Sequence, residues 1–343
     1  SQRLSYEDGI ALYDLDIYTL GKYAQKIRTN LHGNKTFYNL NRHINPTNIC
    51  KDVCKFCAYS ASRKNPNPYT MSNEEILSVV KKEDKKGISE VHIVSAHNDK
   101  VSLDWYMGIF QKIKKAYPHI HIKALSAAEV DFLATHNGYT YEAMIDLMIS
   151  SGVDSMPGGG AEIFDEKVRD YICKGKVSSD NWLEIHNIWH SKNKKSTATM
   201  LFGHVEERKH RIDHMIRLRE AQDKVDGFTS FIPLIYQRHN NYLNVKTHFT
   251  GVEALKTIAI SRLMLDNIPH IKSYWVTSTI NLAMLAQEFG ADDLDGTISK
   301  ETIQSSAGAN SANGISLDEL TNHITNAGFE PTQRDSIYGV IDS

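Results

Sequence analysis

The sequence of 343 residues lacks several features that would assign it to a broad class of protein. It has no basic excess, since 39 Lys and Arg stand against 41 Asp and Glu, so no binding to nucleic acid or to an anionic membrane is expected. No run of 18 apolar residues occurs, and the first thirty residues carry charges throughout, so neither a transmembrane helix nor a secretory signal is predicted. A small-molecule substrate and a cytoplasmic location are the remaining expectations.

The chain also lacks a Pro/Gly/Ser-rich linker and an internal repeat, so one main domain is expected. Short stretches with strand character alternate with helical segments, beginning with a strand over 36–44. Ser72 and Glu75 predict a capping box at the start of one helix. The alternation predicts a (β/α)8 TIM-type barrel over 36–343, C-terminal helices included, after an N-terminal helical extension over 1–35. Periodicity does not distinguish a full barrel from an open six-stranded one.

Cysteine is scarce, yet three of the four cysteines are close together, as Cys50, Cys54 and Cys57. A structural zinc site normally has four protein ligands in two pairs, and Cys173 has no partner at ligand spacing. An odd triplet without a secretory context also disfavours disulfides. Three thiolates leave one iron of a [4Fe-4S] cluster free to activate a small molecule. The spacing favours an iron–sulfur enzyme, with an iron–sulfur electron carrier and a zinc-stabilised binding protein as the non-enzymatic alternatives.

In a barrel, functional residues lie at the C-terminal ends of the strands. The cysteines follow the first predicted strand directly, and other strands are followed by polar or glycine-rich stretches. These stretches are 95–99, 126–129, 157–162, 203–206 and 234–239. The glycine triplet in 157–162 matches no phosphate-loop pattern, so it indicates either close approach of bare backbone to a ligand or a sharp turn.

The cysteine spacing, with the aromatic Phe56 directly before the last cysteine, resembles the radical S-adenosylmethionine (SAM) superfamily. Longer stretches are similar to the aminofutalosine synthase family of the futalosine route to menaquinone, over nearly the whole chain. These stretches are 41–50, 157–162, 202–206, 227–233, 261–267 and 289–297. The related alternatives are the cyclic dehypoxanthine futalosine synthases and the F420-cofactor radical synthases. The stretch 289–297 ends in Asp-Leu-Asp-Gly-Thr, and this favours the aminofutalosine synthase family over the two alternatives.

The resemblance implies a specific reaction. Cys50, Cys54 and Cys57 would bind a [4Fe-4S] cluster, and the open iron would chelate SAM, which serves as a co-substrate. One electron from a flavodoxin or ferredoxin would cleave SAM into methionine and a 5'-deoxyadenosyl radical. That radical would add to the vinyl carbon of 3-[(1-carboxyvinyl)oxy]benzoate. Loss of the carboxylate as bicarbonate or carbon dioxide would then give 6-amino-6-deoxyfutalosine.

The candidate SAM contacts are residues near the predicted strand ends that match positions implied by the resemblance. They are Phe56, Tyr59, Ser95, Ala96, Glu129, Gly158, Gly159, Gly160 and Glu206. Phe56 and Tyr59 would flank the adenine or else pack beneath the loop. Glu206 would accept from the ribose hydroxyls or else only begin a helix. No catalytic residue beyond the cluster ligands is predicted.

The implied substrate has two carboxylates, so cationic side chains are needed near the barrel mouth. The candidates are His43, Arg238, His239 and Arg262, with a helix-surface position as the alternative for Arg262. Four further histidines fall on predicted helices and are expected to be surface or packing residues. These are His186, His190, His210 and His214.

One stretch departs from the family pattern. Family members usually have a Gly-Gly pair after the second strand, whose backbone meets the methionine amine, whereas this chain has Ser95 and Ala96 there. A backbone contact survives this change if the dihedral angles are ordinary. The adjacent His97 would make a polar contact or cap the following loop.

Overall fold

The computed structural model describes residues 3–62, 64–246, 249–298, 301–309 and 314–341. The strands are β1 Lys35–Asn39, β2 Asn41–Ile44, β3 Glu90–Ile93, β4 His121–Ala124, β5 Ser155–Met156, β6 Lys195–Phe202, β7 Phe228–Ile235, β8 His270–Ile271, β9 Asp293–Gly296 and β10 Glu330–Gln333. Most connections between them contain helices, as expected for parallel strands.

The helices are α1 Tyr6–Leu12, α2 Ile17–His32, α3 Asn73–Asp84, α4 Leu103–Ala116, α5 Ala127–Asn137, α6 Tyr141–Ser150, α7 Glu166–Cys173, α8 Ser179–Ser191, α9 Arg208–Lys224, α10 Gly251–Met264, α11 Trp275–Ser278, α12 Ile280–Gln287, α13 Ile303–Ser306 and α14 Leu317–Asn326. The predicted capping box begins α3, where Glu75 N donates to Ser72 Oγ and Ser72 N donates to the Glu75 carboxylate. In the described part of the chain, no helix has both the length and the apolar character needed to cross a bilayer.

The strands confirm the predicted barrel class. Strands β2 to β8 form a parallel sheet in chain order, and β1 lies between β9 and β10 in a second parallel sheet. The two sheets meet on both sides. Leu40 joins β1 to β2, and Lys272, just after β8, makes a parallel bridge to Asp293 of β9. The chain therefore runs around a (β/α)8 barrel, with β10 as an additional strand beside β1.

The single strand expected over 36–44 is interrupted at Leu40 because the chain changes partners there. The segment before Leu40 pairs with β9 and β10, and the segment after it pairs with β3. The side chain of Asn41 fixes this change: its Oδ1 accepts from Ile298 N at 3.0 Å, and its Nδ2 donates to Asp295 at 3.3 Å. The break thus joins the first and last parts of the barrel.

Alternation along the strands separates the barrel interior from the surrounding helices. In β3, Val91 and Ile93 are buried in the main hydrophobic core, as is Ile122 in β4. Their neighbours His92 and Lys123 instead line a central cavity. Because successive side chains of a strand point to opposite faces, the apolar set packs against helices and the polar set faces inward. Strands buried on both faces usually form nearly continuous apolar runs, so this interior is unusually polar.

The predicted N-terminal extension contains α1 and α2, which pack against α9 and α10 of the barrel. Helix α2 also approaches the segment after α12 closely: a Cβ atom on Gly21 would lie 2.7 Å from the Phe289 ring. Leu20 and Ala24 of α2 belong to the same hydrophobic core as the barrel. The boundary at residue 35 between the extension and the barrel domain stays a proposal. In the fold, the extension packs as part of the barrel's outer layer.

Candidate active site

A cavity of about 280 Å³ opens at the C-terminal ends of the strands. Its upper wall contains the cysteine loop, the segment after β3 and the glycine triplet, and its floor is formed by inward side chains of the strands. Pockets for small ligands commonly lie at this face of a TIM barrel. Several of the strand ends selected from the sequence therefore border a cavity suited to a small ligand.

Backbone hydrogen bonds to two other segments hold the cysteine loop over the cavity. Lys51 N donates to His97 O at 3.0 Å, which ties the loop to the segment after β3. Lys55 N donates to Ile172 O at 2.8 Å, which ties it to α7. These bonds leave the side chains of the loop available to face the cavity.

Cys50, Cys54 and Cys57 all line the cavity, and all three are free thiols. Burial raises the pKa of Cys50 and raises that of Cys54 well above its ordinary value. Thiolates are the form that binds metal, so a cationic centre would offset this burial cost. Three thiols on one loop beside a cavity match the donor set of a [4Fe-4S] cluster with one open iron. Cys173, by contrast, is buried, and burial raises its pKa to about 11.

A lysine that the sequence did not identify lies beside the cysteines. Lys176 Nζ is 2.7 Å from the Glu162 carboxylate, and both residues line the cavity together with Cys54. Burial alone would lower the pKa of Lys176, but Glu162 and Cys54 hold it well above its usual value. Glu162 has a φ of 45°, in the left-handed region, which a residue with a side chain seldom adopts. No spacing in the sequence indicated this pair.

His97 contacts the cysteine loop through its side chain. Its Nδ1 lies 2.8 Å from Asp52 Oδ2, and both residues line the cavity. Its ring stacks on Phe132, with the centroids 4.9 Å apart. Of the two roles predicted for His97, the structure favours a polar contact, here to the loop that carries the thiols.

Most predicted SAM contacts border the cavity: Phe56, Tyr59, Ser95, Ala96, Gly158, Gly159 and Gly160. The Tyr59 hydroxyl already has protein partners, at 2.7 Å from both Thr47 O and the Tyr69 hydroxyl. Its ring, not its hydroxyl, is therefore the part available to a ligand.

The glycine triplet combines both properties weighed from the sequence. A Cβ atom on Gly158 would lie 2.7 Å from the β6 backbone at Thr197 O, so bare backbone is required there. Gly160 has a φ of 87°, and a Cβ atom on it would lie 2.6 Å from Ala128 Cβ. The segment is a turn pressed against its neighbours, and it also forms part of the cavity wall.

The prediction for Glu206 is corrected. Glu206 does not line the cavity, because its carboxylate accepts from Gly203 N at 2.6 Å and His204 N at 2.8 Å and pairs with Arg211 at 2.7 Å. With these partners in place, the carboxylate has little capacity left for ribose hydroxyls. Glu206 stabilises the turn after β6.

Glu129 is corrected in the same way. Its buried carboxylate accepts from Ser95 N, Ser126 N and Ser126 Oγ, each at 2.7 Å, and it does not line the cavity. It therefore positions the segment after β3 and does not face a ligand. The backbone of Ser95 and Ala96 lies outside the left-handed region, so the side chains that replace the usual glycine pair cause no strain.

Of the four cationic candidates, His43 lines the cavity and the other three do not. His239 packs against Gly308, and its backbone N donates to Ala307 O at 3.0 Å. Arg238 follows the lining residue Gln237 but lies outside the cavity wall.

Arg262 is at the other end of the barrel, where its guanidinium donates to Gly290 O and Pro269 O, each at 2.8 Å, and to Asp292. Neither a substrate contact nor a helix-surface position describes this fully buried side chain.

Two further cations that sequence reasoning missed are lysines in the floor of the cavity. Lys123 Nζ lies 2.7 Å from Glu90, and Lys272 is paired with Asp295. All but Glu90 line the cavity. Burial would raise the pKa of Asp295, but Lys272 and then His43 hold it well below its usual value. The sequence did contain a signal for this polar floor. Polar residues occupy every second position of β3 (Glu-Val-His-Ile) and β4 (His-Ile-Lys-Ala), and this pattern indicates a polar strand face that points inward.

Among the described side chains, a group with the spacing of metal ligands lies outside this cavity: His32, His270 and Asp292. It lies where β8 and β9 begin, opposite the cysteine loop. Arg262 is bonded to Asp292, and its fixed positive charge would repel a metal ion. We assign this group a structural role.

Two known families match this chain, and the match to the first of them includes the cysteine loop. Residues 44–218 match the radical SAM superfamily, and residues 225–343 match the CofH/MqnC C-terminal region. The chain is 38% identical to aminodeoxyfutalosine synthase of Streptomyces coelicolor, over 99% of this chain and 91% of that protein. It is 35% identical to 5-amino-6-(D-ribitylamino)uracil–L-tyrosine 4-hydroxyphenyl transferase of Methanococcoides burtonii, over 97% of this chain and 94% of that protein.

Among solved structures, methylornithine synthase has the same fold. It aligns with a TM-score of 0.76 over 96% of this chain and 95% of that one, at 16% sequence identity. At that identity the likeness concerns the fold and not the reaction.

Proposed function

Because the chain belongs to the radical SAM superfamily, in the branch that contains the aminodeoxyfutalosine synthases, we propose that it makes 6-amino-6-deoxyfutalosine for menaquinone synthesis. The proposed reaction joins the 5'-deoxyadenosyl group of SAM to the vinyl carbon of 3-[(1-carboxyvinyl)oxy]benzoate, with loss of the carboxylate as bicarbonate or carbon dioxide. The observation that carries this proposal is a single cavity with three free thiols on its upper wall and buried cations in its floor.

Cys50, Cys54 and Cys57 would hold the [4Fe-4S] cluster, leaving one iron for the amino and carboxyl groups of SAM. When bound, the cluster supplies the electron that cleaves SAM. The rings of Phe56 and Tyr59 and the backbone of Gly158–Gly160 offer flat, uncharged surfaces for the nucleoside. With SAM and substrate bound, the surrounding barrel would shield the reacting groups from water and oxygen.

Two ion pairs would orient the upper wall. Lys176 places a positive charge beside Cys54, where Glu162 keeps it protonated. Asp52 and His97 connect the cysteine loop to the segment after β3, so that the thiols and the backbone of Ser95 keep a fixed separation. Such preorganisation matters because a displacement of about 1 Å in a reacting group can cost about a hundredfold in rate. The flavodoxin or ferredoxin reductant and the cytoplasmic location stay predictions.

The test is an anaerobic assay with reconstituted, reduced enzyme, SAM carrying a labelled adenosyl group and 3-[(1-carboxyvinyl)oxy]benzoate. We expect the label in a product of the mass of 6-amino-6-deoxyfutalosine, together with free methionine. Parallel reactions with dehypoxanthine futalosine, and with L-tyrosine plus 5-amino-6-(D-ribitylamino)uracil, should show no consumption of these substrates. Free 5'-deoxyadenosine without an adduct from the benzoate would contradict the proposal, as would turnover of either alternative substrate.

A further inference from the structure

The two lysines in the floor of the cavity, Lys123 and Lys272, have hydrogen-bond donors to spare. An ammonium group has three N–H donors. Lys123 Nζ has the Glu90 carboxylate at 2.7 Å, and Lys272 Nζ has Asp295, with Asp293 farther away at 3.8 Å. Both ammonium groups therefore keep donors that these partners do not use.

Two imidazoles lie in the same layer. Pairing places His43 opposite His92 and His92 opposite Lys123, so the three side chains are at one level of neighbouring parallel strands. The His43 and His92 rings are 4.5 Å apart. Nε2 of His92 is buried without a hydrogen-bond partner, whereas Nε2 of His43 lies 3.6 Å from Asp295 Oδ2. A buried polar atom without a partner is costly, and a ligand can supply the missing partner.

The charges of this layer also call for an acceptor. Burial lowers the pKa of Lys123; Glu90 opposes that effect, and the nearby charge of Lys272 adds to it. The two ammonium groups thus repel each other, although each has its own carboxylate. A further carboxylate between them would accept the spare N–H groups and reduce the repulsion.

Above this layer the cavity wall becomes apolar and aromatic. Ile232 and Leu234 of β7 line the cavity, with Leu234 two residues nearer the C-terminal end of the strand. Tyr274 also lines it, and its ring is nearly parallel to the His43 ring, with a centroid separation of 6.5 Å. These side chains suit the faces of a benzene ring.

We propose that the floor formed by His43, His92, Lys123 and Lys272 binds the ring carboxylate of an aromatic acid, with the ring directed toward the cysteine loop. This inference rests on the proposed function for its orientation. The vinyl carbon must meet the adenosyl group at the cysteine wall, so the ring carboxylate is the end of the substrate left to reach the floor.

The test measures binding instead of turnover. Isothermal titration of the reconstituted holoenzyme compares 3-methoxybenzoate with the neutral 3-methoxybenzamide. We expect the wild-type protein to prefer the carboxylate by about 10- to 100-fold, as for hydrogen bonds to a charged group. In Lys272→Met this preference should fall to less than about threefold, because one of the two ammonium groups is removed while the carboxylates of the floor stay.

Lys272→Met leaves Asp295 unpaired, so a second variant combines Lys272→Met with Asp295→Asn to keep the net charge of the floor. The matched control is Lys176→Met, which removes a lysine of another lining ion pair, at the cysteine wall. The control should keep the carboxylate preference. A preference unchanged in both floor variants would overturn the proposal, as would a preference lost in Lys176→Met alone.

A second probe, 2-phenoxyacrylate, retains the enolpyruvyl carboxylate and lacks the ring carboxylate. Its affinity should be the same in wild type and in the floor variants, and a dependence on Lys272 would overturn the proposed orientation. The two proposals fail separately. A missing adduct with an intact, Lys272-dependent preference contradicts the proposed function alone, whereas adduct formation without that preference contradicts the floor site alone.

Discussion

Buried charged side chains occur at both ends of this barrel, but their bonding differs between the mouth and the base. At the base, where β1, β8 and β9 begin, Arg262 donates to two backbone carbonyls and to Asp292. Arg28 donates to the carbonyls of Ala291, Gly33 and Lys35. These guanidinium groups connect segments that are distant in sequence, and their donors are largely used by the protein itself.

At the mouth and the floor of the cavity, by contrast, polar and ionisable side chains keep atoms that the protein does not bond. The thiols are free, the lysine ammonium groups have spare donors, and Nε2 of His92 has no hydrogen-bond partner. Each unsatisfied buried group costs free energy, which a bound ligand can offset. Beside the cavity the unused bonding capacity adjoins a space that a ligand can enter, whereas the guanidinium groups at the base are bonded to the protein itself.

The largest effect should come from the thiols. Cys54→Ala removes a proposed cluster ligand, so we expect iron and sulfide content and adduct formation to fall to background. Circular dichroism should show an unchanged fold, because Cys54 is only partly buried.

Cys173→Ala is the matched control, since this buried cysteine lies outside the cavity wall. It should retain the cluster and its activity. If Cys173→Ala lost iron as Cys54→Ala does, the assignment of the cluster to the triplet alone would be wrong.

The next effect concerns stability at the base. Arg262→Met leaves Asp292 buried without its cation, so the free energy of unfolding should fall by about 3–5 kcal/mol. Denaturant titration measures this loss. Turnover of the folded fraction should stay at the wild-type value, because Arg262 touches no part of the cavity.

Arg208→Met gives the comparison, because it breaks an exposed pair with Glu253. This exposed pair should contribute only about 0–1 kcal/mol. A raised KM with unchanged stability in Arg262→Met would restore Arg262 as a substrate contact and remove the contrast between the two ends.

A smaller effect should appear as pH dependence of the helical layer. Burial lowers the pKa of His190 to about 4 and that of His214 to about 3. Because both pKa values are lower in the folded state, the unfolded chain binds protons more readily, and stability is lost as pH falls below about 6.5. Each histidine should lower the free energy of unfolding by about 2 kcal/mol between pH 7 and pH 5.

Guanidinium titrations at the two pH values measure this change. His214→Gln can keep the hydrogen bond to Thr199 O and should reduce the drop by about 2 kcal/mol. An equal drop in the variant and the wild type would show that His214 is not a neutral packing residue.

The sequence was sufficient for features determined over short distances. The cysteine spacing, the strand–helix alternation and the capping box at Ser72 all depend on residues within a few positions of one another. The barrel class and the position of the cysteine loop after the first barrel strand could therefore be predicted from the order of the amino acids alone.

The remaining features depend on partners that are distant in sequence. Arg262 looked available because Asp292 lies thirty residues later, and the floor was missed because strand register brings Lys123 and Lys272 to one cavity. The ion pair of Glu206 could in part be predicted from the nearby sequence, because its partner Arg211 follows five residues later on α9. A carboxylate near a strand end predicts a ligand contact only when no nearer donor uses it.

The alternation within β3 and β4 has a further consequence for how such a protein can change. Val91 and Ile122 hold the strands against the helices, while the adjacent His92 and Lys123 face the cavity. A substitution at an inward position can therefore alter ligand preference while the outer packing stays the same. Neighbouring residues of one strand thus have separate roles, one set in folding and one in shaping the cavity, so a change in what the cavity accepts need not begin with a loss of structure.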